Sequence, residues 1–300
     1  MAPISQTTTG TKHLSFVTQL PPPYPPAPQP APAVAVAVKD ARIYPAAPFT
    51  LEPALHQADE GLRPPLRGLA KSAGGLDLLW AFIVLIAWLF LNVIAGIAVI
   101  ALGKSDNAVA FGLLFSTMLP WLALAGGPLL VAKLTGNGPI IDYGLRFRWR
   151  FVWWGLLYGV ISIVVAFALA TVTTKIWGTF DSNAGEQLKG AKENSVAFVG
   201  LLIAAGIGAP IVEELMFRGL IFGGFAKLRV IPIFNVLLTS AIFAAIHFEP
   251  KRFLLLAGIG IVLACARWHT GSTITSMVAH MTNNSLSVVG LITGSVLLFH

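Results

Sequence analysis

The sequence predicts an all-α fold: a polytopic bundle of transmembrane helices with seven or eight crossings, preceded by a disordered proline-rich tail. Three observations predict it. Of 300 residues, 56% are hydrophobic and only 11% charged, whereas a soluble domain carries about 25% charge. Apolar runs long enough to cross a bilayer recur after Asp77. These runs are continuous, not the alternating segments of about ten residues that a barrel strand would need.

Residues 1–76 read as the tail. They hold 14 of the chain's 20 prolines, including Pro21-Pro22-Pro23 and Pro25-Pro26. Proline at that density favours extended polyproline II and blocks helix packing. The segment lacks the basic start and long apolar core of a cleavable signal peptide. An unstructured tether is the expectation, with a proline-recognising partner as the alternative.

Residues 77–300 read as the transmembrane domain. Leu78–Leu102, Val109–Ala132 and Phe151–Thr174 contain no charged residue, and each is long enough at about 1.5 Å per residue to cross about 30 Å of hydrocarbon. A fourth helix runs from about Val196 to Ala226 and carries charge. A fifth covers about Ile231–Phe248 and a short sixth Phe253–Trp268. The last, Ser272–Phe299, is long enough to break near Gly290 or Gly294.

The net charge of +7 does not indicate nucleic acid, because the basic residues sit in short loops between apolar runs. If the helices alternate, Arg63, Arg67 and Lys71 share a side with Lys133, Arg146, Arg148, Arg150, Lys227, Arg229 and Arg267. The positive-inside bias then puts the N-terminus in the cytoplasm. Together with the short chain and single cysteine, this suggests a bacterial inner-membrane protein. Cys265 alone excludes an intramolecular disulfide and any multi-cysteine metal site.

Ionisable groups in lipid are costly and mark function or a buried pair. The fourth run carries Glu213, Glu214 and Arg218. Glu214 and Arg218 are four apart and share a helix face, so an ion pair is expected. Glu213 is turned by about 100° from Glu214, which leaves one carboxylate for chemistry. Pro210 should bend this helix, and Gly206 and Gly208 should let a neighbour come close. The fifth run carries His247, with Phe243 one turn back to pack on its ring. The last carries His280 and Asn284 on one face, with Asn283 turned towards a separate contact. Singly, each histidine reads more simply as a satisfied core residue, and the Glu–Arg pair as a structural bridge.

Together they are compatible with one pocket. A desolvated carboxylate beside a histidine can take a proton from water. A second histidine and an amide can donate to the oxyanion of a tetrahedral intermediate. Glu213, His247 and His280 also match a catalytic zinc ligand set. Buried Glu and His equally serve an ion or proton transporter, and the same helices could form a non-catalytic immunity or scaffold protein.

Three segments carry a resemblance: Glu213-Glu214-Leu215-Met216-Phe217-Arg218, Phe243 to His247, and His280 to Asn284. Together they resemble the CPBP family, the CAAX proteases and bacteriocin-processing enzymes also called Abi proteins, which includes the type II CAAX prenyl endopeptidases. The resemblance covers about residues 195–290. It implies an intramembrane endopeptidase acting on a membrane-bound or lipidated peptide, CAAX-like or bacteriocin-like. Glu213 would activate water with help from His247, His280 and Asn284 would stabilise the oxyanion, and Glu214, Arg218 and Phe243 would support the site. It is compatible with a metallo mechanism and with a metal-free glutamate mechanism. The second is favoured, because an asparagine amide is a poor zinc ligand and a good oxyanion donor.

Overall fold

The computed structural model describes residues 74–178 and 182–293, and the expected tail before Gly74 lies outside them. Every regular element among the described residues is helical. Helix α1 spans Gly74–Leu102 among the described residues and includes Asp77. Helices α2 (Asp106–Met118) and α3 (Trp121–Leu134) divide the second apolar run at Pro120, and Ser105 caps the start of α2 by accepting from the Ala108 N–H. A short turn α4 (Pro139–Asp142) leads to α5 (Trp149–Trp177). Helix α6 (Asn183–Ala191) is a short amphipathic element between α5 and the next long helix. The long helix α7 spans Ser195–Lys227, α8 Pro232–Ala245, α9 Phe253–Thr270 and α10 Thr273–Thr293.

Among the described residues, five spans are long and apolar enough to cross a membrane: Gly74–Ala101, Asp106–Leu134, Trp149–Trp177, Ser195–Lys227 and Pro250–Thr270. Their outward faces are apolar, with Phe82, Phe90, Ile97, Trp153 and Val164 more than half exposed, as a lipid-facing surface requires. The chain is thus an integral membrane protein. Helix α8 has 14 residues, about 21 Å at the helical rise, and is shorter than a full crossing. Helix α10 stays continuous through Gly290, against the break expected there; Gly294 lies outside the described residues.

Two features fix the frame around the interior. At one end, Lys227 at the foot of α7 pairs with Asp77 at 2.6 Å and lies 3.5 Å from Asp142. The start of α1, the loop after α3 and the end of α7 therefore share one face, in agreement with the loop charges. Across the bundle, α5 packs on α10 through Gly155 and Gly159. A β-carbon at Gly155 would strike Val278 and the Thr275 carbonyl, and one at Gly159 would strike Thr282. This small-xxx-small stripe lets two backbones approach closely. Because α10 carries His280 and Asn284, Gly159→Leu is expected to cost about 1–3 kcal/mol by overpacking. It should also depress any activity of the site. Thermal unfolding in detergent checks the first effect, and a midpoint equal to wild type would contradict the close approach.

The expected bend at Pro210 takes the form of a widened turn. Pro210 has no N–H to give, and residues Ala204–Gly208 form a π-helical segment just before it. The Ala209 N–H reaches back five residues to the Ala204 carbonyl. The Ala205 carbonyl therefore loses its ordinary helical donor, and the next residue along cannot supply one. Gly208 gives the indole of Trp121 room to pack, as anticipated, whereas a β-carbon at Gly206 would meet only ordinary contact with Val288. A second π segment, Leu215–Ile221, follows, and all of its residues are buried. Such segments recur at functional sites.

Candidate active site

Glu214 and Arg218 form the predicted i,i+4 pair at 2.7 Å, with both side chains fully buried. Further hydrogen bonds to the two groups help offset the cost of burying such a pair. Arg218 Nη2 donates to the Gly260 carbonyl on α9 at 2.8 Å, and its guanidinium lies 4.7 Å from the centre of the Phe243 ring. The Arg218 carbonyl accepts from Arg267 Nε at 3.1 Å.

Glu214 has a second partner that sequence reasoning did not find. His280 Nδ1 lies 3.1 Å from Glu214 Oε1. Since the carboxylate already pairs with Arg218, it accepts and Nδ1–H donates. That fixes the imidazole with Nε2 facing the other way, 4.0 Å from Glu213 Oε2. His280 thus stands between the two adjacent carboxylates. Glu213 is the more accessible of them, with its side chain 19% exposed against 0% for Glu214. Helical spacing separates the two carboxylates; burial tells them apart.

His247 lies outside α8. The helix ends at Ala245 and His247 occupies the turn that follows. Pro250 accounts for the early end, because it disfavours helical geometry at Glu249. The imidazole is nonetheless held. Nδ1–H donates to the Phe243 carbonyl at 2.7 Å, leaving the Nε2 lone pair as the acceptor. Phe243 meets both imidazoles edge-on, His247 at 4.8 Å and His280 at 5.8 Å between centroids.

Asn284 satisfies the carbonyl that the π turn exposes. Its Nδ2 donates to Ala205 O at 2.9 Å, while its Oδ1 accepts from Asn283 Nδ2 at 3.3 Å. Asn283 Oδ1 in turn accepts from Ser162 Oγ on α5 at 3.1 Å. This chain of bonds fixes the Asn284 amide and leaves it a second N–H. Asn283 makes the separate interhelical contact that its position on α10 suggested.

Glu213, Phe243, His247, His280, Asn283 and Asn284 all line one cavity of about 490 Å³. Its walls are mostly apolar, with Trp88, Trp121, Leu256 and Ile259 among them, and its far reaches meet Asn183, Gln187 and Arg252. A mostly apolar hollow with a few convergent polar groups is the usual form of a ligand site. Among the described residues, no three His, Cys, Asp or Glu side chains are grouped closely enough to hold one metal ion. Glu213, His247 and His280 therefore share a cavity without forming a ready three-ligand set.

The sequence agrees with this geometry. Residues 195–286 match the family model of the type II CAAX prenyl endopeptidases, Rce1-like. That segment begins at the first residue of α7 and ends within α10, so it contains every motif residue. Two proteins of Bacillus subtilis (strain 168) are also similar. "Uncharacterized protein YyaK" is 36% identical over 102 residues, 30% of this chain and 34% of that one. "Putative membrane peptidase YdiL" is 30% identical over 89 residues, 30% of this chain and 36% of that one. The chain thus spans about a third of the length of the curated relatives it matches. No solved structure matches it. These matches support a membrane protease.

Proposed function

We propose that this protein is an intramembrane endopeptidase that hydrolyses a peptide bond of a membrane-associated substrate, CAAX-like or bacteriocin-like, with a water activated by Glu213. The observation that carries the reading is His280 held between Glu213 and Glu214 at the wall of a cavity that His247 and Asn284 also line. The mechanism uses His280 with a proton on each ring nitrogen, so that Nδ1–H donates to Glu214 and Nε2–H is a donor towards the cavity.

In this mechanism a water bonds to Glu213 and to the Nε2 lone pair of His247. Glu213 takes its proton as the oxygen attacks the substrate carbonyl. The carbonyl electrons move onto oxygen, where His280 Nε2–H and the second amide hydrogen of Asn284 receive the charge. When the C–N bond breaks, Glu213 returns the proton to the leaving amine. Glu214 and Arg218 hold His280 in register, and Phe243 packs beneath both imidazoles. Each step uses protein groups and water alone; the metal-free version is preferred over zinc because the three candidate ligands are not grouped at ligand spacing. The chain sits in a bacterial inner membrane with a cytoplasmic N-terminus in this reading, following the loop charges.

The test is cleavage of a quenched fluorescent reporter peptide, prenylated on a cysteine four residues from its C-terminus, by full-length protein in liposomes. Cleavage that survives a chelator, by protein with substoichiometric zinc on metal analysis, is the expected result. Loss of cleavage on chelation with recovery on adding zinc would overturn the metal-free mechanism. Reporter binding without turnover would favour a scaffold, and proton flux into the liposomes a transporter.

A further inference from the structure

His247 is placed differently from the other site residues. Glu213, His280 and Asn284 stand on helices, where rigid hydrogen-bond ladders set their direction. His247 stands in a turn between Ala245 and Pro250, and the next residue, Phe248, has φ of +54°. A bulky aromatic in the left-handed region is strongly disfavoured. It persists only where the surroundings over-determine it.

Much of that determination comes from one residue of α6, an element outside the three motif segments. The Asn183 side-chain amide donates to the His247 carbonyl at 3.2 Å. The main-chain N–H of the same residue donates to Glu249 Oε1 at 2.6 Å. Asn183 therefore grips the residue before Phe248 and the residue after it. Each partner is itself anchored. Glu249 Oε2 accepts from Arg252 Nη1 at 2.5 Å. Ser182 caps α6 by accepting from the Gly185 N–H at 3.0 Å. Gln187, one turn further along α6, accepts from Thr117 Oγ1 at 2.8 Å, which ties α6 to α2. On the opposite side the Phe248 ring lies parallel to Trp88 of α1, with centroids 6.5 Å apart.

We infer that Asn183 is a positioning residue for His247: it holds the strained turn that aims the imidazole into the cavity. The catalytic consequence rests on the proteolytic reading above, whereas the clamp itself is a statement about where the His247 ring points. Losing the Asn183 amide leaves the Glu249 contact in place, since that bond uses the main chain. It releases the His247 carbonyl, and the turn can then relax towards a conformation that phenylalanine prefers.

The experiment compares wild type, Asn183→Ala, Asn183→Ala/Phe248→Asn and Glu213→Gln in the liposome assay with the prenylated reporter. It also follows the His247 imidazole by 15N NMR of histidine-labelled protein in detergent, assigned with His247→Gln. Asn183→Ala should lower kcat by about ten- to a hundredfold with KM unchanged, the cost of a small misplacement of a reacting group. Its His247 ring signals should shift or broaden while those of His280 stay in place. Asparagine tolerates left-handed backbone far better than phenylalanine, so Phe248→Asn should recover part of the lost kcat. Wild-type kcat with unmoved His247 signals in Asn183→Ala would overturn the inference. So would a rise in KM alone, which would make Asn183 a substrate contact, or a double variant no faster than Asn183→Ala. A Glu213→Gln variant as active as wild type, or a reporter that wild type leaves intact, would defeat the proteolytic reading instead. The imidazole signals alone then decide the positioning inference.

Discussion

Glu213→Gln is expected to lower cleavage by about 10²- to 10⁴-fold, the usual contribution of a positioned general base, while the protein still inserts and folds. The amide keeps the shape of the carboxylate and cannot accept the water proton. The fold should tolerate the change because Glu213 is the partly accessible member of the acidic pair. Its contact with His280 is long, 4.0 Å, and an amide of the same shape can occupy the position. Two measurements on one preparation check this: reporter cleavage in liposomes and the unfolding midpoint in detergent. Glu214→Gln is the control, since it sits in the fully buried pair and should lower the midpoint. A Glu213→Gln variant that retains a tenth or more of the wild-type rate would remove Glu213 from the proton transfer.

That contrast between adjacent glutamates shows how far the sequence can be read. The separation of their roles follows from helical geometry: a cation four residues on serves Glu214 and is turned away from Glu213. The structure adds His280 as the link between them, which spacing does not reveal because it depends on how α10 docks on α7. A different contact of α10, that with α5, rests on Gly155 and Gly159, four apart on α5, which let the two helices lie close. The widened turn at Ala204–Gly208 is less legible. A period of 3.6 residues is assumed when faces are assigned, and Pro210 announces a disturbance without saying whether the helix will kink or widen. The widening, however, explains why Asn284 is an amide: it meets the Ala205 carbonyl that the proline leaves without a donor. The apolar run continues through Phe248 and so puts His247 on a helix. Pro250 carries the contrary signal, and the positive φ at Phe248 has none. Asn183 lies in a stretch of balanced charge that gives no reason to associate it with the site.

Arg218→Met should be the most destabilising single change at the site, by about 3–5 kcal/mol, because it leaves a buried charge without its counterion. Glu214 is fully buried and would keep its contact with His280 but lose its counterion. The Gly260 carbonyl would lose its donor and the Phe243 ring its cation. Methionine fills most of the space, so lost volume accounts for little of the effect. The double variant Glu214→Gln/Arg218→Met removes both charges and should recover most of the stability, since replacing a buried pair by neutral groups is often close to neutral. It should not recover cleavage. The oxygen of the introduced amide can still accept from His280 Nδ1–H, but a neutral amide holds the imidazole less firmly than a carboxylate does, so the donor proposed for the oxyanion loses its fixed position. Stability restored without activity would separate the structural duty of the pair from its electrostatic one. The unfolding midpoints of wild type, both single variants and the double variant form a cycle that measures the coupling directly. A coupling energy near zero would mean that the two side chains do not depend on each other, against the 2.7 Å contact.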